Sequence, residues 1–309
     1  MTTAVTVGSV TLPNPVMTAS GTSGHGAELA PYFDLAGLGA VVVKSLAAYE
    51  WAGNSAPRVH PAGVGMLNAV GLQGPGVEAW MHSDLPALAA TGARVVASIW
   101  GRSVNDYARA AQLLAGAPSC VIAVEVNLSC PNLEGRNAIF AHDPSFSAEV
   151  IGATEVCGLP RWAKLSANTD RVVEVAQAVT GAGAEAVTLV NTLLGMVLGE
   201  RDGRPVLGAG GGGYSGLPIH PVAVRTVFDV HAALPDVCIV GVGGVATVWD
   251  AVELMLAGAS AVQVGTASFA DPRASAAIAA AIGPWCSNRG IAEVSALTGL
   301  AHRGGIPAR

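Results

Sequence analysis

Val121-Ile122-Ala123-Val124-Glu125-Val126 runs straight into Asn127-Leu128-Ser129-Cys130-Pro131-Asn132. The first six residues are apolar and β-branched except at Ala123 and Glu125, which reads as a buried strand. Polar groups then appear where the strand ends. Pro131 fixes its own φ and pushes Cys130 toward an extended conformation, so the thiol has a defined direction, as a positioned acid or base requires. Asn127 and Asn132 flank it with amide donors and acceptors suited to the edge of a flat polar ligand. The same six residues also suit an Asn-capped, Pro-started turn around an inert thiol, so the surrounding chain has to decide.

Outward from that stretch, strand-like and helix-like segments alternate. Val5 to Val7 and Val10 to Leu12, joined at Gly8-Ser9, read as a small N-terminal hairpin. Val16 to Ala19 is the first inner strand, followed by a flexible loop from Ser20 to Gly24; Ala40 to Val43 is the second, ending in Lys44-Ser45. Leu46 to Pro75 has prolines, glycines and no helical period, and is expected to be a functional covering loop. Val77 to Ala90 predicts one helix, Arg94 to Ile99 the third strand, and Val104 to Leu114 a helix capped by Ser103. Beyond the fourth strand come helix Ser145 to Val156, strand Arg161 to Leu165, helix Arg171 to Val179 and strand Ala186 to Val190.

Leu193 to Tyr214, with Asp202-Gly203 and the Gly208 to Gly213 tract, predicts an inserted hairpin with a mobile edge. Pro218 opens a helix through Leu234; Val237 to Val240, helix Thr247 to Ala257 and strand Ala261 to Val264 follow. Eight strand-helix units in one direction, with no repeat or linker, predict an α/β fold: a (βα)8 TIM barrel, one domain over residues 1–309, with insertions at the C-terminal rim.

Composition agrees and excludes other classes. Hydrophobic residues make up 51% of the 309 and charged ones only 12%, with 39 glycines, as expected of sheet packed on both faces. A net charge of −6 argues against a nucleic-acid partner. The most apolar stretch, Leu254 to Ala270, is broken by glycines and Gln263, and the N-terminus lacks a basic, then apolar, leader. No membrane contact and a cytoplasmic location are therefore expected. Five scattered cysteines without a CxxC pair disfavour a disulfide framework, a zinc site or an iron–sulfur cluster built by this chain alone.

In such barrels chemistry sits where strands end. Those ends carry Ser20, Lys44, Cys130, Lys164, Asn191, Gly243-Gly244 and Gly265-Thr266. The two late glycine turns suit a phosphate, because a tight turn before a helix points backbone N–H groups at an anion. A lysine at the end of an apolar strand needs an anionic or electron-rich partner, so Lys44 and Lys164 imply either a ligand that becomes negative, such as a reduced flavin, or pairing with a carboxylate. A Schiff-base lysine in an aldolase-like barrel and a non-enzymatic phosphate-binding barrel stay open on these residues alone.

Together Asn127 to Asn132, Met66-Leu67-Asn68-Ala69-Val70-Gly71-Leu72-Gln73, Asn191-Thr192, Ser215-Gly216 and Gly241 to Gly244 resemble dihydroorotate dehydrogenase over nearly the whole chain. Cysteine at position 130 resembles the class 1 enzymes, and Ala30 to Leu35 with Leu67 to Pro75 are most similar to the two-subunit, NAD-linked class 1B. The resemblance implies oxidation of dihydroorotate to orotate in pyrimidine biosynthesis, with Cys130 as base and FMN as hydride acceptor. It implies FMN contacts at Ser20, Lys44, Ser45, Asn127, Lys164 and Val190, and at Ser215, Gly216, Gly243, Gly244, Gly265 and Thr266. Ser98 stands where the family pattern leads one to expect an asparagine near the flavin. Substrate contacts are implied at Lys44, Asn68, Ala69, Val70, Gly71, Leu72, Asn127, Asn132, Asn191 and Thr192, with Lys164 offsetting charge on the reduced flavin. A homodimeric core and a partner subunit carrying FAD and an iron–sulfur cluster are implied too. A fumarate-linked class 1A enzyme and a related dihydropyrimidine oxidoreductase are the alternatives.

Overall fold

The structure, a computed structural model, describes residues 1–129 and 140–306. Eight parallel strands occupy the ranges Val16–Thr18, Val41–Val42, Val95–Ile99, Val121–Asn127, Arg161–Lys164, Ala186–Leu189, Cys238–Val242 and Ala261–Val264. From the second to the eighth each pairs with the next, and the eighth pairs with the first, with Val262 opposite Val16 and Val264 opposite Thr18. A bridge from Met17 to Ala40 joins the first strand to the second and brings the cylinder round on itself. This is the expected (βα)8 barrel. Its strands are buried on both faces, which is why they read as near-continuous apolar runs. The hairpin Val5–Val7 with Val10–Leu12 precedes it as predicted.

The helical layer departs from the expectation in three places. Between the first two strands there is only the 3-10 turn Leu35–Gly37, with Asp34 accepting from Ala36 N–H, so the first unit carries no α-helix. The predicted helix Val77 to Ala90 is two, Val77–Ser83 and Leu85–Ala90, divided at Asp84. Pro86 explains the break: it lacks an N–H and its ring crowds the carbonyl one turn earlier, but it is tolerated in the first turn of a new helix. After the eighth strand a short helix, Ala267–Ala270, is followed by Ala274–Ser287, a long helix that the sequence reading left out.

The covering segment is more ordered than a loop. Val59–Ala62 and Gly65–Asn68 form a hairpin, and Gly65–Asn68 pairs with Gly212–Gly216, which in turn pairs with Leu193–Gly195. The predicted inserted hairpin thus exists, and two insertions from different parts of the chain share one antiparallel sheet over the barrel mouth. The seventh strand also runs two residues further than expected, to Val242, so Gly241 is inside it and the turn begins at Gly243.

Candidate active site

At the C-terminal ends of the strands lies a cavity of about 540 Å³, roofed by that antiparallel sheet. Its volume falls in the range that holds small-molecule ligands. The cavity gathers Ser20, Lys44, Ser45, Asn127, Lys164, Val190, Asn191 and Thr192 from the strand ends, and Asn68, Ala69, Val70, Gly71 and Leu72 from the roof. Ser215, Gly216, Gly243, Gly244, Gly265 and Thr266 line it as well. Cys130 and Asn132 lie outside the described residues. Ser98 does not line the cavity; it is fully buried, sharing a 2.8 Å hydrogen bond with Ser45 Oγ and donating to Glu125 Oε1 at 3.5 Å, so it touches the site through these two neighbours.

The floor is polar where barrels usually stack branched apolar side chains. Lys164 Nζ donates to Ser20 Oγ at 3.0 Å and meets Glu125 Oε1 at 3.3 Å, while Gln263 Nε2 donates to Glu125 Oε2 at 2.6 Å. Glu125 and Gln263 are wholly buried and Lys164 is 4% exposed, so the charges balance each other inside the barrel. Lys164 therefore pairs with a carboxylate and also lines the cavity. Glu125 and Gln263 were missed as site residues. The signal for them is a charged and an amide side chain each set inside a run of buried apolar neighbours.

Side-chain amides form a second line. Asn191 Nδ2 donates to Asn127 Oδ1 at 3.2 Å, and Asn127 Nδ2 donates to Ser45 Oγ at 3.3 Å. Tyr107 fixes the strand end by donating its hydroxyl to the Asn127 carbonyl at 2.6 Å. Asn168, also missed, donates to the Thr192 carbonyl at 3.0 Å and accepts from Leu194 N–H at 2.8 Å, holding the loop after the sixth strand. Behind Lys44, burial and the neighbouring ammonium push the His25 imidazole below its usual range.

The glycine end is built for close approach. Gly244 has φ +69°, and a Cβ there would lie 2.6 Å from His220 Cβ, so a side chain is excluded both by conformation and by space. His220 lies under this turn, its Nδ1 2.8 Å from the Gly243 carbonyl oxygen and its Nε2 3.2 Å from Glu253. Thr266 Oγ1 donates to Ser215 Oγ at 2.9 Å beside it. Hydroxyls and backbone groups at glycine turns make a cradle whose N–H donors suit a phosphate monoester.

A family model described as dihydroorotate dehydrogenase matches residues 2–284. The chain is 47% identical to the dihydroorotate dehydrogenase B (NAD(+)) catalytic subunit of Desulforudis audaxviator, with 98% of each chain covered. It is 44% identical to the protein of the same name from Trichlorobacter lovleyi, over 96% of this chain and 97% of that one. To the Geobacter sulfurreducens catalytic subunit it is 41% identical, over 96% of each.

Proposed function

The chain belongs to the dihydroorotate dehydrogenase family, and from that premise we propose that it oxidises dihydroorotate to orotate in pyrimidine biosynthesis as a single catalytic domain, passing the electrons on toward NAD. The observation that carries this reading is one cavity with three kinds of donor: a glycine cradle, a buried lysine–carboxylate floor and a line of side-chain amides. FMN fits that donor set. Ser215, Gly216, Gly243, Gly244, Gly265 and Thr266 would hold its phosphate, with Ser20, Ser45, Lys164 and Val190 along the rest of it. Bound there, FMN supplies a two-electron centre that accepts hydride.

The residues of this chain do the remaining work. Lys44 and the backbone of the Asn68–Leu72 turn hold the substrate carboxylate, while the amides of Asn127 and Asn191, with Thr192, pair with the ring amides. Such fixed pairing orients a flat substrate before any bond changes. Cys130, as thiolate, takes the substrate proton in this reading, and Asn132 is a further substrate contact. A thiol ordinarily titrates near about pH 8.5, so turnover rises from neutral toward alkaline pH. Lys164, tethered by Glu125, presents its positive end to the cavity, where preorganised charge favours a site that becomes more negative.

Relatives named catalytic subunits support a partner subunit that takes the electrons; FAD and an iron–sulfur cluster on that partner, a homodimeric catalytic core and a cytoplasmic location belong to the same proposal. No helix among the described residues is long and apolar enough to cross a membrane.

Purified protein is expected to be yellow and to bleach anaerobically with dihydroorotate. Protein that is colourless and cannot be reconstituted with FMN would exclude the reading. Cys130→Ala should keep its flavin and lose on the order of 10²- to 10⁴-fold in turnover, the usual contribution of a positioned base. Undiminished turnover would put the base elsewhere, and efficient fumarate reduction by this chain alone would replace the NAD link.

A further inference from the structure

Trp51 lies outside the cavity but is tied to its roof. Its indole Nε1 donates to the Gly71 carbonyl at 3.0 Å, and its backbone exchanges two 2.9 Å hydrogen bonds with Gly74. Gly71 and Leu72 both line the cavity, and both have positive φ, 73° and 61°. Leu72 is the one non-glycine residue in that region among those described, a conformation that persists in a branched residue only where the surroundings enforce it.

The enforcement comes from one face. Asn54 donates its backbone N–H to Val70 and its side-chain amide to Ala69, each at 3.0 Å. A Cβ on Gly71 would stand 2.6 Å from Asn54 N, so the two segments touch backbone to backbone. The indole is itself fixed: the Arg102 guanidinium lies 5.1 Å from its ring centre, and the Trp100 ring meets it edge-on at 6.0 Å. Asp106 holds that assembly from the next helix by accepting from Arg102 N–H at 3.0 Å.

We infer that Trp51 is a positioning residue for the pyrimidine substrate, acting through Gly71 and Leu72: its N–H holds the left-handed turn in the shape that presents backbone groups to the ligand. The inference rests on the proposed reading of this cavity as the dihydroorotate site. A turn left to relax would bind the same ligand after paying the ordering entropy, so the loss falls on affinity and not on the chemical step.

The test uses flavin-loaded enzyme titrated with orotate, followed by the change in flavin absorbance. Trp51→Phe, which keeps a ring and removes only the donor, should weaken orotate binding and raise the dihydroorotate KM about fivefold, the worth of one hydrogen bond, with kcat within about twofold. Trp51→Ala, which also gives up the packing on Arg102 and Trp100, should weaken both further. Amide exchange in the turn should quicken in both variants. Unchanged orotate affinity in flavin-replete Trp51→Phe overturns the inference. A Trp51→Phe enzyme that cannot hold flavin also overturns it, by giving the side chain a general role in the fold. Failure of the unaltered, flavin-loaded enzyme to bind orotate removes the proposed substrate reading and this inference together.

Discussion

Lys164 and Glu125 form an ion pair at 3.3 Å with almost no exposure, and such a pair is worth more as a unit than either half. Lys164→Met strands a carboxylate in the barrel and should cost about 3–5 kcal/mol of stability. Lys164→Met combined with Glu125→Gln should recover most of that loss, since a neutral pair of similar volume carries no desolvation debt. Thermal midpoints of the two single variants and the double variant test the coupling, and strictly additive losses would deny it. At this scale the sequence was informative about half the pair. A lysine at a strand end announces a need for a partner, whereas Glu125 and Gln263 read as interruptions in apolar runs, because linear order does not say that the fourth and eighth strands face each other across a barrel. Ser98 shows the same limit: the sequence placed it at the right strand end, but only the structure shows Ser45 between it and the cavity.

Element by element, the strands were legible because burial on both faces leaves a plain apolar signature, and Val104–Leu114 was legible because Ser103 accepts from Asp106 N–H as a cap should. The roof was harder. Val59–Ala62 contains Pro61 and shows no apolar alternation suited to a half-buried strand, so it resembled a loop until its partners were known. The C-terminal 3-10 turn Leu300–Arg303 was equally silent, yet it docks firmly. His302 stacks on Phe228 with ring centres 3.9 Å apart, its Nε2 lies 2.9 Å from the Ala257 carbonyl oxygen, and its ring is 4.9 Å from that of His231. Burial, with the His302 and Arg303 charges beside it, lowers the His231 pKa from its usual 6.5. A lowered histidine means that the unfolded chain takes up the proton first, so the stability it contributes is present above pH 6.5 and is lost as the pH falls through the folded value. Thermal midpoints between about pH 7.5 and about pH 5.5 should therefore fall more steeply for the native chain than for His231→Asn. Parallel curves would show that this histidine does not carry the dependence.

For the molecule as a whole, closure of the eight strands makes one buried apolar cluster that extends under every barrel strand, while the cavity opens above it. Ligand binding is then linked to global unfolding. FMN at about a hundredfold above its dissociation constant should add about 2.7 kcal/mol and raise the thermal midpoint by several degrees. A midpoint indifferent to FMN would separate the cavity from the cofactor. The roof carries a consequence of its own. Its central strands, Gly65–Asn68 and Gly212–Gly216, belong to excursions that leave the barrel after different strands. Transplanting either excursion from a related enzyme by itself would leave its neighbour with a raw hydrogen-bonding edge, so the two form a single cassette, and recombination that splits them should yield sticky, poorly folding chimaeras.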